Sequence, residues 1–229
     1  MQPGGSRSTQ EPTVSDVASL VASWVHGWAV SRAVPSPTSL PGGWRIQVGL
    51  PGHRVRYVLA AYDDATVTEL GRRHTEPGTW IKAATNPSDL HRVLPARWAM
   101  SDTGYLMTVP FTGGDPVVPA PYSTQLEVEG DVIVASVLDT AGRTAARGRL
   151  APAGRVGVID QVETAPTHRR RGLASAVMRT LAHHAVRRGM HRGVLVATDD
   201  GRELYRTLGW TVRSPIAAAH IPEAPTPLA

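Results

Sequence analysis

The sequence predicts an α/β protein, an α+β arrangement around a mixed sheet. Three observations carry that prediction. Helical apolar stripes alternate with short strand-like runs along the whole chain. The most strand-like stretch, RVGVIDQVET at 155–164, runs into a basic glycine-containing turn, a helix and then the wholly apolar strand GVLVAT at 193–198. No sequence repeat of fixed period suggests a solenoid or propeller instead.

Composition narrows the class. At 229 residues there is room for one large or two small domains with a real core. No run approaches the roughly 20 apolar residues of a membrane span, and the chain has no cysteine for disulfides, thiolate metal sites or thiol nucleophiles. The opening MQPGGSRSTQEPTVSD lacks a charged-then-apolar signal pattern and reads as a disordered leader over residues 1–15. A cytoplasmic protein that engages no membrane is the expectation. The formal charge is +5, and of 24 cations only Lys82 is a lysine, so the arginine total reflects a compositional bias as much as a function. Before residue 119 there are 10 cations and 9 acids, after it 14 and 10, so the surplus lies near the glycine turn. That placement fits one anionic ligand better than the broad basic stripe of a nucleic-acid surface.

The elements follow in order. Val17, Leu20, Val21, Trp24, Val25 and Trp28 form a stripe that predicts a helix over 16–33, capped by Ser15 or Asp16 and stopped by Pro35 and Pro37. GWRIQVGL and RVRYVLAAY flank the turn PGH as a hairpin. A short helix at 64–74, the strand TWIKAAT, a Pro-started helix in NPSDLHRVL and the strand GYLMTV complete an α+β region over 16–112. The Pro/Gly-rich PFTGGDPVVPAPYS marks a linker, placed at 113–123. A second domain over 124–221 then holds QLEVEGDVIVASVLDT, AARGRLAP and RVGVIDQVET as strands. In the same domain follow a helix at 173–188 ended by Gly189, the strand GVLVAT, a short helix at 201–208 and a last strand from TVRS. Residues 222–229 read as a loose tail.

The turn THRRRGLASAV at 167–177 sets three arginines against the positive end of a helix dipole. Such crowding is unfavourable unless an anion sits there, held by converging N–H groups and charge-assisted bonds. There is no G-x-x-x-x-G-K-[ST] and no G-x-G-x-x-G, so neither a Walker loop nor a classical dinucleotide turn is present. What remains is Arg169-x-x-Gly172-x-Ala174.

That run resembles the R/Q-x-x-G-x-G/A acyl-CoA signature of the Gcn5-related N-acetyltransferase (GNAT) superfamily. Pro166 stands three residues before Arg169, as in the family's V-x-P-x-x-R run, and LYRTLGW at 204–210 resembles its LY-x-x-LGF segment. The resemblance covers about 124–216 and implies the GNAT fold, with residues 16–112 as an α+β extension or a degenerate GNAT-like half. It implies acetyl-CoA as co-substrate and acetyl transfer to an amine, on a small molecule or a protein. In that family the strand before the turn splays from its neighbour; Val162, Glu163 and Thr164 would then pair with the pantetheine arm. Arg169, Arg170, Arg171, Gly172, Leu173, Ala174 and Ser175 would wrap the diphosphate, and Gly172 would let it approach closely. Ala174 departs from the commoner glycine. Tyr205 matches the family's tyrosine acid, and Asp160 coincides with a position where some members carry a base or water-holding group; Glu163 is a weaker candidate base.

Strand parity places Val158, Asp160, Val162 and Thr164 on one face, and Ile159, Gln161 and Glu163 on the other. His183 and His184 point about 100° apart on a helix, so they read as a solvated pair and no metal site is expected. Asp199 and Asp200 stand where the family often has an asparagine, and read as helix caps. Two rival functions are a non-catalytic acyl-CoA-binding module and a nucleic-acid binder using the arginine run; the glycine and the strand–helix placement argue against the second. A homodimer is common in the family and is the assembly to test.

Overall fold

The computed structural model describes residues 14–223, so most of the expected leader and the end of the tail lie outside the described residues. The first half holds α1 (Val14–Ser31), β1 (Thr38–Leu40), β2 (Gly43–Leu50), β3 (His53–Leu59), α2 (Asp64–Arg73), β4 (Thr79–Ala83), α3 (Pro87–Val93) and β5 (Ala99–Pro110). The second holds β6 (Ser123–Glu129), β7 (Val132–Leu138), β8 (Thr144–Ala153), β9 (Val156–Thr164), α4 (Leu173–Arg187), β10 (Arg192–Ala197), α5 (Asp199–Thr207) and β11 (Thr211–His220), with a 3-10 turn at Pro166–His168.

All eleven strands join one mixed sheet in the order β1-β2-β3-β4-β11-β5-β10-β9-β8-β7-β6. Two neighbouring pairs are parallel, β3 with β4 and β9 with β10. Each is bridged by a crossover helix, as parallel neighbours require. The halves therefore repeat one connectivity: β3–α2–β4–α3–β5 and β9–α4–β10–α5–β11. They also trade their last strands. β5 lies between β10 and β11, and β11 lies between β4 and β5. Of the two readings of residues 16–112, this topology favours the repeated half.

Helix α1 occupies one face alone. Its stripe Leu20, Val21, Trp24, Val25 and Trp28 is buried against Ile46, Val58, Leu106, Ile216, Val194 and Val158, drawn from six different strands. It meets β2 near one end of the sheet and β8, β9 and β10 on the other side, so the sheet must curl around it. The opposite face carries the other helices. Leu173, Val177, Leu181 and Ala185 of α4 and Tyr205 of α5 pack with Ile159 and Leu195. Val67 of α2 and Leu90 of α3 pack with Tyr57, Ile81 and Ala217.

Within β9, strand parity fails. Arg147 faces Glu163 and Arg149 faces Asp160, so two residues, Gln161 and Val162, oppose Gly148 alone. This is a β-bulge, and Gln161 takes the left-handed φ of 51° that it demands. Val162 consequently packs on the α4 side with Ile159, while Val158 stays on the α1 side. The expected grouping of Val158 with Val162 is corrected accordingly: a two-residue period holds only while the ladder is regular.

Candidate active site

Past Val158, before the bulge is reached, β9 leaves its parallel neighbour. The two strands pair only at Val156–Arg192, Gly157–Gly193 and Val158–Val194. From there β9 runs on to Thr164 and β10 to Ala197 without meeting. A V-shaped split opens, and the β10-facing backbone of β9 past Val158 has no strand partner.

The turn at the open end is built from unusual backbone. Arg170 has φ 61° and Gly172 has φ 77°, two left-handed residues flanking Arg171. Holding an arginine there costs roughly 1–2 kcal/mol, and such strain is retained mainly where the site uses it. Gly172 is also the N-cap of α4 and offers no side-chain cap. The first amides of α4 therefore keep their N–H groups free of intrahelical partners, a concave set of donors for an anion. A Cβ on Gly172 would meet only Pro119, at 3.8 Å; the left-handed backbone, more than crowding, is what requires glycine.

A cleft of about 810 Å³ joins these features. It is lined by Val162, Glu163, Thr164, Arg169, Arg170, Gly172, Leu173, Ala174 and Ser175, and from α5 by Tyr205 and its neighbours. Nine of the ten residues expected to hold the cofactor thus share one wall. Arg171 does not line it: its Nη1 donates to the Tyr122 hydroxyl at 2.9 Å, and that hydroxyl lies 3.0 Å from Nδ1 of His168. Arg169 donates from Nε to the Thr164 carbonyl at 3.4 Å, tying the turn to the strand.

Tyr205 is 8 % exposed. Burial, and secondarily the charge of Asp160, pushes its hydroxyl up to about 12, so it remains protonated throughout the neutral range. Asp160 is held from the α1 side. Nη2 of Arg32 donates to Oδ1 at 3.1 Å, Nε of Arg32 to Oδ2, and the Ser31 hydroxyl to Oδ2 at 3.2 Å. Both carboxylate oxygens are engaged in a bidentate pair. Glu163 is exposed and pairs with Arg147 at 3.2 Å.

The sequence offered Asp199 and Asp200 as helix caps, but Thr198 takes that place, accepting from Gly201 N at 3.2 Å. Asp199 pairs with Arg202 at 3.3 Å and Asp200 lines the cleft. A threonine before two acids is an N-cap signature and could have been read as one. His183 donates from Nδ1 to the Gly114 carbonyl at 2.9 Å, and among the described residues no cluster of three His, Asp or Glu could hold a metal. No described helix is long and apolar enough to cross a membrane.

This architecture is shared with solved GNAT acetyltransferases. The chain matches the Gcn5-related N-acetyltransferase from Kribbella flavida at a TM-score of 0.65, with 17 % identity over 91 % of this chain and 96 % of that one. The corresponding protein from Sphaerobacter thermophilus gives 0.59, with 12 % identity over 94 % and 96 %. A tandem GNAT protein from the clavulanic acid biosynthesis pathway gives 0.52, with 12 % identity over 95 % and 98 %. At such identities the likeness shows the fold. The sequence itself carries the family: residues 114–210 match the model described as the acetyltransferase (GNAT) family, so the C-terminal part of the chain is a GNAT domain. No curated protein matches the chain.

Proposed function

We propose that the protein is an N-acetyltransferase that moves an acetyl group from acetyl-CoA to a primary amine by direct attack in a ternary complex. The observation that carries this reading is the shared cleft: the uncapped Arg170–Gly172 turn and Tyr205 border the same 810 Å³ space beside an unpaired strand.

Acetyl-CoA supplies a thioester, whose C–S bond breaks as the amine's C–N bond forms. The chain's own groups do the rest. The turn amides and the Arg169 and Arg170 guanidiniums bind the diphosphate. The open edge of Val162–Thr164 pairs with the pantetheine arm in the manner of an added strand. Tyr205 gives its proton to the departing sulfur and recovers one from solvent. Asp160, with both oxygens taken by Arg32, serves as a positioning residue for that guanidinium, and water in the open cleft takes the proton from the amine.

The test is a thermal-shift titration with acetyl-CoA, followed by thiol release over an amine panel. Wild type is expected to be stabilised by acetyl-CoA. Tyr205→Phe should keep that shift while thiol release at neutral pH slows by about 10²-fold. Release at the wild-type rate would remove the acid role, and a wild type that acetyl-CoA leaves unshifted would remove the function.

A further inference from the structure

On the α1 side of the split, beyond the end of that helix, lies positive charge that acetyl transfer does not use. Arg56 of β3 is 6 % exposed, with its guanidinium 4.0 Å from the centre of the Trp28 ring. Its Nε donates to Nε2 of His53 at 3.0 Å, so His53 accepts and is neutral. Burial and the surrounding cations hold that imidazole down to about 3. Lys82 of β4 is half-buried; Trp80 faces Arg56 across β3 and β4, so Lys82, two residues on, shares the Arg56 face. Arg32 comes from just past α1.

The charges do not balance. Against Arg32, Arg56 and Lys82 stands one carboxylate, Asp160, which pairs with Arg32 and whose charge reaches Arg56, and the C-terminal end of α1 adds only about half a negative charge. Among the described residues, neither Lys82 Nζ nor the terminal nitrogens of Arg56 bond to a protein acceptor. Buried cations are ordinarily paired. Here burial first, and then the neighbouring cation, lowers Arg56 to about 9 and Lys82 to about 8. Arg32 makes the Arg56 proton harder to keep, and Arg56 does the same to Lys82.

The cluster stands beside the reaction site. Asp160 is two residues past Val158, where β9 makes its last pair with β10, and its charge reaches Tyr205 on the other wall. The turn proposed for the diphosphate is on the opposite, α4 face. We propose that Arg56 and Lys82 form an anion site for the acceptor, which is therefore an amine that also carries a carboxylate or phosphate group. This rests on the acetyl-transfer reading, and Arg32, tied to Asp160, positions the site's edge.

The experiment uses the full chain at constant ionic strength, because surface effects of salt must be held fixed. Melting is followed against inorganic phosphate and, separately, acetate, for wild type, Arg56→Gln, Lys82→Met and, as a control at the other anion turn, Arg170→Gln. A saturable shift is expected with one of the two anions, which identifies the group carried. Lys82→Met should weaken it about 10- to 100-fold, the loss expected for a charge-assisted bond, and the part of any phosphate shift that Arg170→Gln removes belongs to the diphosphate turn and is subtracted first. Arg56→Gln should behave likewise; should it fail to fold, Lys82→Met alone decides. No saturable shift, or the same shift in Lys82→Met as in wild type, overturns the site. Thiol release then compares 4-aminobutyrate with butylamine and phosphoethanolamine with ethanolamine; a neutral amine used as well as its acidic partner overturns the acceptor assignment. Acetyl-CoA shifts on the same samples keep the two readings apart, since their loss would sink the acetyltransferase and leave the anion site standing.

Discussion

Two helices in this molecule follow a strand and lead into its parallel neighbour, and they begin in opposite ways. Before α2, Asp63 caps the helix from an extended backbone, its carboxylate accepting from Thr66 N at 2.7 Å, and Asp64 follows in the first turn. Before α4, a left-handed glycine offers no side chain and three arginines precede it. The strands differ in step. β3 and β4 stay paired from Val55–Thr79 to Leu59–Ala83, whereas β9 and β10 part after three rungs. In the first half the chain's own carboxylate and its own strand fill the places that the second half leaves open. On the proposed reading, an anion site is made by withholding a cap and a partner strand, while the same connectivity in the first half keeps both.

The sharpest way to break this contrast is to carry the α2 cap into α4. Gly172→Asp places a carboxylate where the diphosphate is proposed to lie, and Gly172→Asn is its uncharged counterpart; both residues tolerate left-handed φ better than most. Acetyl-CoA affinity, read by thermal shift, should fall beyond detection in Gly172→Asp and by about 10-fold in Gly172→Asn. Equal losses would mean that shape, not charge, governs the turn. The reverse change is smaller. Asp63→Ala, by removing the N-cap, should lower the melting temperature by roughly 2–4 °C, with acetyl-CoA affinity untouched. A changed affinity would show that the two turns are coupled.

A pH series gives the smallest effect and probes the cationic cluster. Lys82 titrates near 8 when folded against a usual 10.5, so the unfolded chain holds more protons between those values and stability contributed by this group rises with pH across them. Relative to Lys82→Met, wild type should therefore gain stability between pH 8 and 10.5 in the absence of added anion. Parallel pH profiles would place Lys82 in ordinary solvent.

What could be read from the sequence was local. The apolar stripe of α1, the Asn86–Pro87 start of α3 and the run from Pro166 to Ala174 each announce themselves within a dozen residues, because capping, period and glycine are short-range effects. The bulge at Gln161 was not legible: nothing in the side chains marks which residue will take a left-handed backbone. Nor was the pairing of Asp160 with Arg32, or the gathering of Arg56 and Lys82 beside them, since those residues come from the end of α1, β3, β4 and β9 and meet only through the curl of the sheet, Arg32 lying just past the helix. The tie of the Arg171 side chain to Tyr122 was hidden for the same reason, the two lying 49 positions apart.

The exchange of β5 for β11 governs how the molecule can be taken apart. A fragment starting near residue 114 would contain the whole turn proposed for the diphosphate and Tyr205, yet β10 would lack the neighbour that fills its outer edge, and β11 would have neither of its own. Such a piece exposes three raw strand edges that other chains can adopt, so it should clump or find a second molecule rather than stand alone, and the proposed cleft is inherited with the first half or not at all.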